Sequence, residues 1–130
     1  MRLEISRADV DRLLGEAATS PDGEVCGLLL GAGLRVDAVR ACRNVAENPG
    51  RSFEIDPAAL IAAYRAARNG GPGVIGHYHS HPTGTPEPSA RDAAAAHGGE
   101  VWMIMAGGAI QAWLAARDGH FTRIDIHPSP

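Results

Sequence analysis

The chain has 130 residues, 45% hydrophobic and 21% charged, with a net charge of −3. That length suits one domain with a self-sufficient core, and the mild acidity offers no basic face for nucleic acid or an anionic membrane. No apolar run reaches transmembrane length and the opening MRLEISRADVDRL is too polar for a signal peptide, so a cytoplasmic protein is expected. Cys26 and Cys42 read as free thiols in such a compartment. All 12 basic residues are Arg. A compositional bias that also favours Ala and Gly accounts for this more simply than selection against modifiable lysines.

In chain order, residues 1–5 read as a short strand, and Ser6 as the cap of a helix over about 7–18 whose stripe is Val10, Leu13, Leu14 and Ala17. Ser20-Pro21-Asp22-Gly23 is a turn. EVCGLLLG, beginning at Glu24, reads as a buried strand, joined by a short hairpin to a second strand over Leu34–Ala41. A loop over 42–50 leads to a short strand, Ser52–Ile55. Asp56 then caps a helix over Pro57–Arg68. GVIGHYH, Gly73–His79, is a central strand; the three prolines of Pro82–Pro88 make a stiff loop; Ser89–His97 is a short helix ended by Gly98-Gly99. Strands at Val101–Met105, Ile110–Ala116 and Phe121–Ile126 close the chain, with Gly107-Gly108 and Asp118-Gly119 as turns. The fold class is therefore α/β or α+β, a mixed sheet flanked by helices with an antiparallel late half. One domain spans 1–126, and 127–130 is a frayed tail.

Chemistry concentrates in His77-Tyr78-His79-Ser80-His81-Pro82 and Pro88-Ser89-Ala90-Arg91-Asp92. Alternate residues of a strand share a face, so His79 and His81 can converge on one metal ion, and Asp92 can enter from the next element. Three protein ligands and an open position characterise a catalytic zinc rather than a structural one. His77 shares that face, but an all-histidine set spreads its outer members about 13 Å along a straight strand. Asp92 also reads as the N3 partner of a capping box begun by Ser89, a role that competes with metal binding. A general base is still needed. Glu24 is a candidate at the head of an apolar strand, with Glu47, Glu87 and Glu100 as rivals.

H-S-H-P followed by P-S-x-x-D resembles the signature of the JAMM metalloproteases, the metal-binding branch of the MPN domain. EVCGLLLG resembles that family's first conserved strand, and NVAENP with FEIDP resembles its short prokaryotic members, so the similarity runs in order over about residues 24–105. The resemblance implies one zinc per chain on His79, His81 and Asp92, a water at the fourth position, and Glu24 as the base that shuttles its proton. It implies that Ser89 donates to the oxyanion and Pro82 stiffens the exit from the metal strand. It also implies a mixed sheet between helices, similar to cytidine deaminases.

The same resemblance implies hydrolysis of an amide bond after the C-terminal Gly-Gly of a ubiquitin-like protein. Members that edit ubiquitin chains carry long insertions, for which this chain has little room. A sulfur-carrier protein is therefore favoured as substrate and partner, with a deubiquitinase-like isopeptidase as the alternative. A non-catalytic MPN scaffold is disfavoured because every ligand is kept, and a zinc-sensing regulator is left to assay. A zinc deaminase needs H-x-E and P-C-x-x-C, and neither occurs.

Overall fold

The computed structural model describes residues Met1–Pro130. Seven strands and three helices follow in the order β1 (Arg2–Ser6), α1 (Arg7–Ala18), β2 (Cys26–Ala32), β3 (Arg35–Cys42), α2 (Pro57–Arg68), β4 (Gly73–Ser80), α3 (Ala90–Ala95), β5 (Val101–Ala106), β6 (Ala109–Ala115) and β7 (Phe121–Ser129). The sheet is mixed, as expected, but it closes into a ring in the order β1-β3-β2-β4-β5-β6-β7. β1 makes the closure, pairing parallel to β7 over five residues and to β3 at Glu4 and Arg35 alone. The late half, β5-β6-β7, is antiparallel.

Local chemistry accounts for most boundaries. Ser6 caps α1 by accepting from the Asp9 N–H at 3.0 Å, and Asp56 caps α2 by accepting from Ala58. α2 begins at Pro57 and ends before Asn69, the limits read from the sequence. Three expectations are corrected. Ser52–Ile55 forms no strand, only one isolated bridge from Asn44 to Ile55, because the segment bends to follow the Asn44 side chain. The helix expected to run from Ser89 to His97 is shorter, since Ala96 already has extended backbone. The expected frayed tail is sheet: Glu4, Ile5 and Ser6 pair with His127, Pro128 and Ser129. β7 has left β6 by that point, so the missing N–H of Pro128 faces no ladder on its other side.

The central strands β2, β4 and β5 bury both faces, while β1, β3 and β7 leave one face to solvent. Leu29, Tyr78, Met103 and Met105 pack with Leu13 of α1 in the main core, while Leu28 and Leu30 point the other way, toward Ala63 of α2. β4 therefore has two distinct sides. Tyr78 faces α1, whereas His77 and His79 face the side of α2 and the 43–56 loop. Gly76 is required on that strand because a Cβ there would run into the Val101 carbonyl of β5. No helix is long and apolar enough to cross a membrane.

The buried Tyr78 hydroxyl finds its partner on α1, donating to Glu16 Oε1 at 2.6 Å. Burial raises the Glu16 carboxyl above its ordinary value near 4.5, although the Tyr78 bond pulls it down. A raised acid destabilises the fold progressively as pH climbs past that ordinary value. Glu16→Gln should therefore gain stability relative to wild type as pH rises from 4 to 8, with the two converging at the acid end. Denaturant melts at both pH values check this; a difference that is flat with pH contradicts it.

Candidate metal centre

His79 is the penultimate residue of β4 and is fully buried. His81 lies just beyond the strand end but stays tied to the sheet, its N–H donating to the Met105 carbonyl at 2.8 Å. The proline-rich loop then curls so that the Thr85 carbonyl accepts from His81 Nδ1 at 2.8 Å, and Trp113 Nε1 pins the same loop at Pro86 O. The loop delivers the chain to Ser89, the cap of α3, and α3 returns Asp92 to the strand end. His79 Nε2 and His81 Nε2 are 3.1 Å apart, His79 Nε2 is 3.3 Å from both Asp92 oxygens, and His81 Nε2 is 3.1 Å from Asp92 Oδ2.

These separations suit a cation. Ligand bonds of 2.0–2.1 Å in a tetrahedron place neighbouring donor atoms about 3.3–3.4 Å apart. A carbonyl only accepts, so His81 Nδ1 carries the ring proton and Nε2 turns its lone pair inward. That nitrogen lies 3.1 Å from Asp92 Oδ2; burial lowers the His81 pKa, but Asp92 and the Thr85 carbonyl outweigh burial and raise it. A divalent ion at the common centre would relieve the same crowding. The fixed Nδ1–H to carbonyl bond is the usual way a metal-binding imidazole is oriented. The Asp92 carboxyl is held well below the usual range: burial raises it, but the two imidazoles and the Ser89 N–H outweigh that.

Ser89 and Asp92 complete a full capping box, with the Asp92 N–H donating to Ser89 Oγ at 3.0 Å and the Ser89 N–H to Asp92 Oδ2 at 2.8 Å. Cap and centre draw on the same oxygen, Oδ2, which accepts from the Ser89 N–H and faces both imidazoles. A carboxylate has about four lone-pair sites, enough for the backbone and for the cluster. The Ser89 hydroxyl accepts from the backbone and keeps its own proton to donate.

Glu24 differs from its sequence reading. It sits two residues before β2, in a loop fixed from three sides. Its N–H donates to Pro49 O at 2.7 Å, its carbonyl accepts from Asn44 Nδ2 at 2.9 Å, and the next N–H, of Val25, donates to Ser80 Oγ at 2.9 Å. The side chain turns inward, so that its ligand atom and those of His79 and His81 all lie within 4.8 Å of one another. Asp92 meets the same two imidazoles at shorter distances. Burial pushes Glu24 up to about 7, with His81 and Arg91 pulling down and Asp92 pushing up. Of the rival glutamates, Glu47 and Glu87 are exposed, and Glu100 faces His77 instead, 3.7 Å away.

His77 shares the strand face but not the cluster. Its ring packs at 4.3 Å against Trp102, and Phe53 fills the space beside it. Phe53 also stacks on His79, centroids 4.2 Å apart at 17°. Phe53, Ser80, Thr85, Trp102 and Asn44 are the residues that sequence reading missed. Ser80, between the two histidines, was the one most open to discovery, since it must be small enough to dock on the Glu24 loop. Several openings border the centre. One is polar, about 220 Å³, lined by Glu24, Arg51, His81, Thr83 and Ser89 among others. Another, about 340 Å³, is lined by Phe53, Leu60 and Trp102 with Arg91 and Glu100 beside Asp92. A further one, about 240 Å³, lies on the α1 side, where Leu14 and Met105 meet Ser80 and His81.

Residues 6–118 match the Prok-JAB family, the prokaryotic homologs of the JAB domain. The chain is 36% identical over 110 residues to the desampylase of Haloferax volcanii, covering 79% of each protein. It is 35% identical over 89 residues to a probable TtuB-protein conjugate cleaving protease of Thermus thermophilus, covering 68% of this chain and 60% of the relative. A JAB1/MPN domain protein from Archaeoglobus fulgidus shares the fold, with a TM-score of 0.61 at 20% identity over 97% of this chain and 98% of that one. The histidine pair at the strand end, the family match over residues 6–118 and these relatives lead to one conclusion: the chain belongs to the prokaryotic JAB family of JAMM proteins and is a hydrolase of the isopeptidase type.

Proposed function

We propose that the protein is a zinc-dependent isopeptidase that cuts the amide bond after the C-terminal Gly-Gly of a ubiquitin-like protein, a sulfur carrier being the favoured substrate. The observation that carries this reading is the meeting of His79 Nε2, His81 Nε2 and Asp92 at 3.1–3.3 Å with the Glu24 carboxyl alongside. His79, His81 and Asp92 would hold the zinc. When bound, the ion acidifies a water and polarises the scissile carbonyl. Glu24 takes the proton of the attacking water and hands it to the leaving amine; its carboxyl stands beside the two imidazoles, and burial raises its affinity for a proton. Ser89, with its hydroxyl proton uncommitted, donates to the oxygen on which negative charge develops. Pro82 and the Thr85 carbonyl keep His81 from swinging away.

Several features support the substrate class. One relative is named for cleaving protein conjugates. The segment between β3 and α2, residues 43–56, is short, and the family resemblance ties chain editing to long insertions around the site, for which this chain has little room. Glu24, Arg51, Thr83 and Ser89 line the polar opening, and glycines would let a substrate backbone come close to the centre there. We place the protein in the cytoplasm, a reducing compartment in which the two free thiols persist.

Purified without chelators, the protein should carry about one zinc per chain, and His81→Ala should lose it; elemental analysis finding no metal in the native protein contradicts the site. Glu24→Gln should keep zinc and fold while turnover falls about 10²–10⁴-fold, the usual range for a lost general base. Undiminished turnover in that variant removes Glu24 from the reaction. A ubiquitin-like carrier extended past its Gly-Gly should be cut at that junction, as read by the mass of the products. Intact fusions across a panel, with zinc bound, would leave a scaffold role as the better account.

A further inference from the structure

Asn44 lies outside every helix and strand, in the loop between β3 and α2, yet its carboxamide is saturated. Nδ2 donates to the carbonyl of Glu24 at 2.9 Å and to that of Ser52 at 3.1 Å. Oδ1 accepts from the N–H groups of Ala46 at 3.0 Å and Glu54 at 3.1 Å. Two donors and two acceptor sites are the whole capacity of an amide side chain. The partners fall into two groups. Glu24 carries the carboxylate of the centre, whereas Ser52 and Glu54 flank Phe53, whose ring stacks on His79.

His79 is where such a prop matters. Its Nδ1 is buried without a hydrogen-bond partner. A metal-binding imidazole is ordinarily oriented by a bond from its second nitrogen, as His81 is by Thr85. The His79 ring is held instead by its faces and edge, with Phe53 stacked and Trp102 at 5.5 Å in a T arrangement. Phe53 has no regular strand to fix it, because Ser52–Ile55 makes only a single bridge.

We infer that Asn44 is a positioning residue that joins the two halves of the centre, one carboxamide setting where Glu24 stands and holding Phe53 against His79. This rests on the roles proposed above for Glu24 and His79. Asn44→Asp keeps the shape and both accepting bonds but turns the two donors into lone pairs aimed at the Glu24 and Ser52 carbonyls. Glu24 and the Phe53 segment are then pushed apart.

The test uses the full chain loaded with zinc. Asn44→Asp should lower kcat at least about tenfold with KM within about twofold, a part of the 10²–10⁴ that a general base supplies. In the Glu24→Gln background the same substitution should cost distinctly less, since the part that acts through Glu24 is already gone and only the Phe53–His79 part remains. Zinc release to a chelator should quicken about tenfold in Asn44→Asp and in Phe53→Leu alike, as loss of an outer support does elsewhere. Wild-type protein supplies a readout that needs no variant to fold: stripping zinc should speed hydrogen exchange of the Ala46 and Glu54 amides, the two that Asn44 Oδ1 holds. Equal losses of kcat in both backgrounds, unaltered zinc release, or exchange at those amides indifferent to zinc each overturn the inference. Wild-type turnover in Glu24→Gln alone instead removes the base proposed above. The release and exchange readouts then still decide the Phe53–His79 half.

Discussion

Three acceptor-bearing side chains are forced to share one small volume at the end of β4. Imidazole nitrogens 3.1 Å apart, with a carboxylate oxygen 3.1–3.3 Å from each, crowd lone pairs that repel unless something positive lies among them. A chain does not adopt this by drift. It takes a strand whose alternation puts His79 and His81 on one side, a proline-stiffened return, and a capping box that aims Asp92 back at the strand it came from. The capping box supplies two functions at once: it starts α3, and it fixes a carboxylate oxygen with the Ser89 N–H so that the oxygen cannot rotate away.

The two-sidedness of β4 lets this polar cluster exist within an apolar fold. Tyr78 turns into the main core and ends in a hydrogen bond to Glu16, so that side of the strand is sealed by α1. The other side meets a wall of rings, Phe53, His77 and Trp102, which shields His79 from bulk water and orients it by packing. Glu24 reaches the same place from a loop held by Asn44, Pro49 and Ser80 rather than from a strand. Partial burial there pushes its carboxyl to about 7, a value an exposed strand-end glutamate would not have. One set of contacts thus sets both where the Glu24 carboxyl stands and how readily it holds a proton, which is what the proposed base requires.

The parts legible in the sequence were those governed by local rules. The Asp56-Pro57 start of α2, the Ser6 cap of α1 and the shared face of His79 and His81 are properties of neighbouring residues. Asp92 was legible because its spacing from Ser89 encodes a cap. What was not legible depended on distant partners. Ring closure by β1 leaves no trace in the five residues of β1, and Pro128 signals a loose end only until β1 is seen beside it. Glu24 was read as a strand residue because the apolar run after it is continuous; the Pro49 and Asn44 bonds that pull it off the ladder come from 20 or more residues away. Phe53 and Trp102 carry no polar signature, so nothing in their type announces that they hold a histidine.

Zinc-edge X-ray absorption on the loaded protein tests the central claim most directly, because it counts the atoms around the ion without reference to turnover. The account predicts two imidazole nitrogens and one or two oxygens at about 2.0–2.1 Å, and in His79→Ala either no bound zinc or a shell with one imidazole fewer. A first shell containing sulfur, or one unchanged when His79 is removed, would contradict it.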